Sequence, residues 1–314
     1  MPTDTNLDRA IYDLLSHQCP AMWLGFPIGT GNVYWVDSIR GVVGNSGIRP
    51  DLAVPSITEA LTLCAIENND YIMVIEDWQE AATVTVNITR VHIIGLSNYL
   101  RLNSNHSFVA LNATGDFPIF TITNLSQNCE IAGFNMGGGA TSAGIENITT
   151  ATMGAHIHDC TFGHIFSGDT PQDGIRIEMN ATNIRIEHCT FLGTPTGKGT
   201  LTRDGIRWQA GNVLNGTVIN NQFIGIPAVC FNGLNMGGDG GVTIQDNIFE
   251  CIDAQGAAIT LGVTVFGCLV VGNKAIYGPN TAAMVNNPYL DQTVAAPFNA
   301  WAGNYKGNAL IDPA

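Results

Sequence analysis

The tetrapeptide Asp-Gly-Ile-Arg occurs twice, at residues 173–176 and 204–207, and places carboxylates beside guanidinium groups. Asp173 and Asp204 are 31 residues apart, and Glu178 follows the first copy by two residues. Two carboxyl groups about 5 Å apart perform retaining glycoside hydrolysis, and groups about 6.5–9.5 Å apart perform the inverting reaction. The repeated motif therefore indicates Asp173, Asp204 and Glu178 as candidate catalytic residues.

The same motifs have a simpler interpretation, in which Asp-Gly is a favourable corner dipeptide and each arginine neutralises the stacked aspartates. Arg176 and Arg207 lie on the same strands as the aspartates, and they oppose the raised pKa that an acid catalyst needs. We therefore expect two ionised carboxylates in a surface ladder that binds a glycan without cleaving it. A lyase would need an acidic Ca²⁺ site beside a basic residue. Asp169, Asp173, Asp204 and Arg207 could be combined in this way, but no Ca²⁺-ligand spacing in the sequence supports a lyase.

Aromatic side chains near the motifs offer flat faces on which sugars stack, with amide and carboxylate groups as polar partners. Trp208 directly follows the second Asp-Gly-Ile-Arg copy, and Trp78 lies upstream of both copies. We predict a glycan-binding strip formed by Arg176, Arg207, Trp208 and Trp78.

Four histidines lie close together in the middle of the chain: His156, His158, His164 and His188. A zinc site is one interpretation, because imidazole is a common zinc ligand. Histidines on exposed strands and corners are far commoner than metal ligands, and no second His-x-His motif supports a site. The sequence therefore predicts a solvated face here, with no metal and no cofactor.

Internal repeats organise the part of the chain that must position these residues. Six segments share an apolar–x–turn–x–x–apolar pattern and begin at Ile131, Ile157, Ile186, Val218, Ile244 and Val271. Their third positions tolerate the left-handed backbone region and are Gly133, Asp159, His188, Asn220, Asp246 and Asn273. A second series of β-rich runs alternates with the first and is centred on Ile145, Ile175, Ile206, Val229, Ile259 and Met284. Each period therefore holds at least two short strands.

Short strands, frequent turn residues and a nearly constant period are typical of a solenoid. No period contains the amphipathic helix of about 10–15 residues that βαβ units require. Neither the leucine-rich-repeat pattern nor propeller-length blades occur. We predict an all-β fold, a right-handed parallel β-helix over residues 39–285, whose successive coils stack about 4.8 Å apart. Such stacking places Asp173 beside Asp204 and Cys160 beside Cys189.

Both ends of a β-helix need covers, because a terminal coil exposes strand edges and apolar interior. Residues 55–67 predict a capping helix with Ser56 as its N-cap. Residues 1–38 combine a short amphipathic helix with clustered aromatic side chains and predict a segment that docks on the β-helix or on another protein. Residues 286–314 lose the repeat and predict a C-terminal cap or trimer contact.

Composition narrows the classes of function. The chain has 314 residues, of which 45% are hydrophobic and 12% charged, and its formal net charge is −14. Such an apolar content excludes a disordered chain, and the negative charge repels nucleic acid and anionic membranes. The first residues lack a basic leader, and the eight cysteines form no Cys-x-x-Cys motif. We therefore expect reduced thiols and a protein made in a cytoplasm without a signal peptide.

Residues 31–277 resemble a known group of β-helix proteins. The relevant segments are GNVYWVDSIRGVVGNSG, the helix PSITEALTLCA, the strand DYIMVIEDWQEAATV and VHIIGLS. These segments are similar to the opening of pectate-lyase-like β-helix proteins, especially those encoded with the virion genes of tailed bacteriophages. One departure is that Glu76, Asp77 and Trp78 replace the usual Pro-Gly before the acidic stretch.

The resemblance implies a homotrimeric virion protein, either a tailspike-like adhesin or a head-surface spike. Its N-terminal segment would contact other virion proteins, and its β-helix would attach to host surface polysaccharide. A trimer also suits the composition, since the few charged residues leave a long apolar flank to cover. Two alternatives stay open: a phage polysaccharide depolymerase acting through the acidic residues, and a cellular carbohydrate-active enzyme, which the missing signal peptide disfavours.

Overall fold

The computed structural model describes residues 31–96, 109–147, 152–163, 171–193, 201–209, 211–236, 241–251, 257–277, 288–293, 299–306 and 309–311. These residues form almost entirely parallel β-strands, wound as a right-handed parallel β-helix, with one α-helix among them. The predicted fold class is therefore confirmed. No helix in the described ranges is long and apolar enough to cross a bilayer.

A typical coil contributes one strand to each of three long sheets. Sheet 1 contains Val33–Val36, Tyr71–Val74, His92–Gly95, Glu130–Ala132, His156–His158, Arg185–Glu187, Gly216–Ile219, Val242–Gln245, Leu269–Val271 and Ala300–Ala302. Sheet 2 contains Trp78–Glu80, Val109–Ala113, Phe134–Met136, Thr161–Phe162, Thr190–Leu192, Gln222–Ile226, Ile248–Cys251, Lys274–Tyr277, Tyr305–Lys306 and the antiparallel Ala309–Leu310. Sheet 3 contains Val84–Val86, Phe120–Ile122, Ala143–Asn147, Asp173–Ile177, Ile206–Trp208, Phe231–Gly233, Ile259–Leu261 and Tyr289–Asp291. A small sheet joins Thr152–Met153, Ala181–Thr182 and Val213–Leu214.

Residues with positive φ form the corners on both sides of sheet 1. The corner after sheet 1 is formed by Gly133, Asp159, His188, Asn220, Asp246, Gly272 and Gly303. The corner before it is formed by Arg90, Asn128, Gly154, Asn183, Asn215, Gly241 and Gly267. The predicted corner residues are confirmed except the last, where Gly272 replaces Asn273 because Val270, and not Val271, pairs with Ile244.

The second predicted series corresponds to sheet 3. Ile145, Ile175 and Ile206 stack in register, as predicted. The next member is Phe231 and not Val229, because Phe231 pairs with both Ile206 and Ile259. Ile259 pairs onward with Tyr289, and the predicted member Met284 lies outside the described residues.

A stack of phenylalanines fills part of the interior. Phe162, Phe191, Phe223 and Phe249 come from consecutive coils, and their ring centroids are 4.8, 4.5 and 4.8 Å apart. A Cβ atom added at Gly174 would lie 2.5 Å from the ring of Phe191, and one at Gly205 would lie 2.5 Å from the ring of Phe223. The glycine of each Asp-Gly-Ile-Arg motif therefore makes room for this stack and does not serve as a left-handed corner.

Buried asparagines follow the corner after sheet 1 in the later coils: Asn221, Asn247, Asn273 and Asn304. Each Oδ1 atom accepts hydrogen bonds from the preceding coil, and each Nδ2 donates to a carbonyl of that coil. Cys160 and Cys189 hold the same position in earlier coils, which confirms their predicted stacking; the backbone N–H of Cys189 donates to Oδ1 of Asn221 over 2.9 Å. We call the four buried asparagines, Asn221, Asn247, Asn273 and Asn304, the asparagine ladder.

The predicted capping helix is present as Ile57–Leu63, and Ser56 caps it by accepting a 3.1 Å hydrogen bond from the N–H of Glu59. Its buried face packs against the first strands of sheets 1 and 3.

The β-helix extends beyond both predicted boundaries. Val33–Val36 pairs with Tyr71–Val74, so this part of the predicted docking segment belongs to sheet 1, whereas residues 1–30 lie outside the described residues. Tyr289–Asp291 and Ala300–Ala302 continue sheets 3 and 1 past residue 285. Aromatic side chains replace the aliphatic ones there, which conceals the repeat in the sequence.

Candidate functional site

The two Asp-Gly-Ile-Arg motifs lie on adjacent strands of sheet 3. Ile175 pairs with Ile206 and Arg176 with Arg207, so the two aspartates occupy neighbouring coils, as predicted. The isoleucines are buried in the interior, and the arginines are partly exposed on the opposite face. We call the charged residues the aspartate–arginine cluster; it consists of Asp173, Arg176, Arg203, Asp204 and Arg207.

Asp173 is fully buried and bonded by two guanidinium groups. Its Oδ1 accepts from Nε of Arg203 at 2.8 Å, and its Oδ2 accepts from Nε of Arg176 at 2.9 Å and also from Nη2 of Arg203. The backbone N–H of Asp204 approaches Oδ1 at 3.3 Å. Both oxygens are therefore engaged, and the carboxylate has no exposed surface from which to attack a substrate.

Asp204 is also buried but has a weaker cation partner. Its Oδ1 accepts from the N–H of Val229 at 3.0 Å, and its Oδ2 accepts from Nδ2 of Asn232 at 2.9 Å and lies 3.4 Å from Nη1 of Arg207. Burial raises the pKa of Asp204, the charge of Asp173 adds to this, and the hydrogen bonds and Arg207 oppose it. The expectation that the arginines keep its pKa low is therefore wrong.

The predicted surface ladder of carboxylates is likewise wrong. Asp173 and Asp204 lie beneath their arginines. The polar groups that are partly exposed above them on this face of sheet 3 include the guanidinium groups of Arg176 and Arg207 and the amide of Asn232. These three residues and Glu146 form a row of paired positions across four coils. We call this row the sheet 3 polar row.

Glu146 is the buried acid at the beginning of this row. Its Oε1 lies 3.2 Å from Nη1 of Arg176 and accepts the N–H of Ala143 at 2.8 Å. Burial raises the pKa of Glu146, and the Arg176 charge opposes this. The guanidinium of Arg176 is thus fixed between Glu146 and Asp173, and its Nη2 also donates to the carbonyl of Thr141 at 2.9 Å.

The remaining predicted site residues have different positions. Glu178 is half-buried just beyond its strand, where its N–H donates to the carbonyl of Asn147, and no ion pair links it to the described arginines. Trp208 is fully buried against Phe231, with ring centroids 6.4 Å apart, so its predicted role in stacking on a sugar is wrong. Trp78 lies on the strand Trp78–Glu80, and its side chain lies outside what the structure describes.

Sequence reasoning overlooked Arg203 and Glu146. Alignment of the two motifs places Arg203 opposite Gln172, the residue before Asp173. The backbone N–H of Arg203 donates to the carbonyl of Gln172 at 2.9 Å. The second repeat series places Glu146 opposite Arg176. Glu146 was therefore detectable as an opposite charge at the position equivalent to Arg176. Arg203 was detectable only as a charge one position away from the equivalent of Asp173.

Of the four histidines predicted to form a solvated face, His156 and His158 are instead partly buried and hydrogen-bonded to carboxylates. His156 and His158 lie on the outer face of sheet 1, His188 is exposed at the corner, and His164 lies outside the described residues. Burial opposes the charge on Glu130, but hydrogen bonds from His158 and His92 lower the pKa of Glu130 to about 2. Burial likewise opposes the charge on His158, but Glu130 and Asp159 raise the pKa of His158 to about 9.

Comparison of the chain with models of protein families, with curated proteins and with solved structures finds no match.

Proposed function

We propose that this chain is a non-enzymatic structural protein of a bacteriophage virion, a tailspike-like or head-surface spike that binds host surface polysaccharide. The observation that carries the binding role is the sheet 3 polar row, in which Arg176 and Arg207 are held on a rigid β-face by buried carboxylates. The virion role rests on the resemblance of residues 31–277 to phage β-helix proteins.

Fixed guanidinium groups suit a polyhydroxylated ligand. A guanidinium offers five N–H donors in one plane and no acceptor, so it matches hydroxyl and carboxylate oxygens of a glycan. Positions in the row repeat about every 4.8 Å, and an extended polysaccharide lying across the coils would meet several of them. Because salt bridges already order Arg176 and Arg207, binding would cost little additional side-chain entropy.

A polysaccharide depolymerase is the second candidate. Burial raises the pKa of both Asp204 and Glu146, and a proton retained on such a carboxyl is what a general acid needs. Against this, both carboxyls are buried and hydrogen-bonded within the protein. Glycoside cleavage requires a pair of carboxyl groups on either side of an accessible bond.

The binding test uses purified full-length protein and a panel of bacterial capsular and lipopolysaccharide glycans, with affinity and release of reducing ends measured together. We expect the wild type to bind one glycan class without releasing reducing ends. Arg207→Met should weaken binding at least tenfold. Arg49→Met is the matched control, because it removes an exposed arginine that pairs with Asp51 far from the row, and it should bind as the wild type does.

Release of reducing ends by the wild type, lost in Glu146→Gln or Asp204→Asn, would establish the depolymerase instead. The virion role has a separate test, because immunogold labelling of intact particles that encode the chain should mark the particle surface. Particles without label would contradict the virion role.

A further inference from the structure

A second group of polar side chains lies on the outer face of sheet 1, on a different side of the β-helix from the sheet 3 polar row. His156 pairs with Glu130 on the adjacent strand of the preceding coil, and His158 lies two residues after His156. Ile157, between the two histidines, is fully buried in the interior. Strand alternation therefore directs both imidazoles to the outer face, where Glu130 also lies.

Three potential ligand atoms converge there. One atom each from Glu130, His156 and His158 lies within 4.8 Å of the other two. A zinc-type ion binds imidazole nitrogen and carboxylate oxygen at about 2.0–2.2 Å, so its ligands stand roughly 3.4 Å apart in a tetrahedron. Because the paired strands fix the backbone positions, side-chain rotation is the movement that would bring the ligand atoms to this separation.

Neighbouring groups already orient the ligands. Nδ1 of His158 lies 2.7 Å from Oδ2 of Asp159, which leaves Nε2 directed at Oε1 of Glu130, 2.6 Å away. Nδ1 of His92 bonds the other oxygen of Glu130, and the His92 ring stacks on Tyr71 with centroids 4.3 Å apart. In metal sites, the ring nitrogen of a histidine that does not bind the metal is typically hydrogen-bonded to a carboxylate. The carboxylate ligands are likewise hydrogen-bonded by neighbouring groups.

The local charges also favour a cation. The carboxylates of Glu130, Asp159 and Glu187 form hydrogen bonds with these histidines. Among the described residues, one guanidinium group pairs with these carboxylates, that of Arg185, which bonds Glu187. Two imidazoles with one carboxylate suit Zn²⁺, Co²⁺ or Ni²⁺, whereas Ca²⁺ and Mg²⁺ prefer oxygen ligands alone.

We propose that Glu130, His156 and His158 bind one divalent transition-metal ion of the zinc type. The ion replaces the proton on Nε2 of His158 that is hydrogen-bonded to Oε1 of Glu130, and this proton is released to solvent. It links two adjacent coils of sheet 1, since Glu130 and the histidines come from different coils. Three protein ligands leave one coordination position for water or an external group, and the partial exposure of His156 gives solvent access to the site.

Cobalt provides the test, because the visible absorption of Co²⁺ reports both its stoichiometry and its coordination geometry. Chelator-treated full-length protein is titrated with Co²⁺ and then with Zn²⁺. We expect one Co²⁺ per chain with the intense bands of a four-coordinate site, and Zn²⁺ should displace it. The variant His156→Gln/His158→Gln should lose the bands, with at least a hundredfold weaker binding. His188→Asn is the matched control, since it removes an exposed histidine at a corner where asparagine is tolerated, and it should bind as the wild type does.

Circular dichroism of each variant shows whether the β-helix has folded. If the double variant is unfolded, Glu130→Gln decides the question, because it keeps both imidazoles and should weaken Co²⁺ binding at least tenfold. Absence of stoichiometric uptake by the wild type overturns the proposal. Unchanged affinity in a folded double variant, or in Glu130→Gln, overturns it as well.

Discussion

Asp173 accepts hydrogen bonds from Arg176 and Arg203 and has no exposed surface. The substitution Asp173→Asn removes the carboxylate charge that the two guanidinium groups share in a mostly buried site, although Arg176 keeps its contact with Glu146. We expect it to lower the free energy of unfolding by about 3–5 kcal/mol, as the removal of one partner from a buried ion pair does. Urea unfolding followed by circular dichroism measures this.

The control for this prediction is Asp51→Asn, because Asp51 forms an exposed pair with Arg49 at 2.9 Å. Exposed ion pairs contribute at most about 1 kcal/mol, so this variant should unfold almost as the wild type does. Equal losses in the two variants would show that burial does not determine the strength of the Asp173 interactions.

The surroundings of Asp291, near the C-terminal end of the β-helix, predict that the stability of the fold depends on pH. Burial would raise its pKa, but hydrogen bonds from Thr293, Trp301 and Asn299 outweigh burial and lower the pKa below its ordinary value of 3.8. A lowered pKa in the folded state stabilises the fold above the ordinary value, and this stability is lost as the pH falls through the folded-state pKa.

We therefore expect Asp291→Asn to lower the free energy of unfolding by about 1–3 kcal/mol at neutral pH, the usual contribution of hydrogen bonds to a charged group. The difference from the wild type should shrink as the pH falls below about 4. Urea unfolding of both proteins across this pH range is the measurement. A difference that stays constant with pH would contradict the assignment to the ionised carboxylate.

At the scale of elements, the asparagine ladder connects successive coils through their side chains. Oδ1 of Asn247 accepts from the N–H and Nδ2 of Asn221, and its Nδ2 donates to Asn273 and to the carbonyl of Val218. We expect Asn247→Ala to lower the free energy of unfolding by about 3 kcal/mol or more, since several buried polar groups lose their partners.

Asn220→Gly is the matched control, because Asn220 is exposed at a corner with φ 55° and glycine adopts this conformation readily. Its effect should stay within about 0.5 kcal/mol. Urea unfolding with an unchanged m-value checks both variants. A loss in Asn247→Ala no larger than in Asn220→Gly would mean that the ladder does not stabilise the coils.

At the scale of the whole molecule, exposed aliphatic side chains mark the region after the first strand. Ile39, Val42, Val43 and Ile48 lie within ten residues, and Val43 is 78% exposed. If the chain is the proposed trimer, light scattering should give three times 33.4 kDa. Val42→Asp/Val43→Asp should then shift the mass toward the monomer, because burying charges at an apolar contact is unfavourable.

Val263→Asp controls for added charge, since Val263 is exposed in a later coil. It should leave the mass unchanged. A wild type that is monomeric at micromolar concentration would contradict the trimer and weaken the spike proposal with it.

Much of the architecture was predictable because it depends on local patterns. The αL-tolerant residues Asp159, Asn220 and Asp246 identify corners, and the apolar positions beside them identify sheet 1. Ser56 identified the start of the capping helix. The burial of Trp208 could also have been predicted from the sequence, because strict alternation after Ile206 directs Arg207 outward and Trp208 inward.

The sequence by itself determined the coil, its corners and the stacking of the two Asp-Gly-Ile-Arg motifs, since a period of apolar and turn residues specifies strands and their faces. Only the tertiary structure decided which polar side chains meet on the outer face of sheet 1. Glu130 lies between His92 and His158, which are 38 and 28 residues away from it. Coil length varies from one period to the next, so lateral neighbours depend on the register of strand pairing, which is settled by packing of the interior and not by any local pattern.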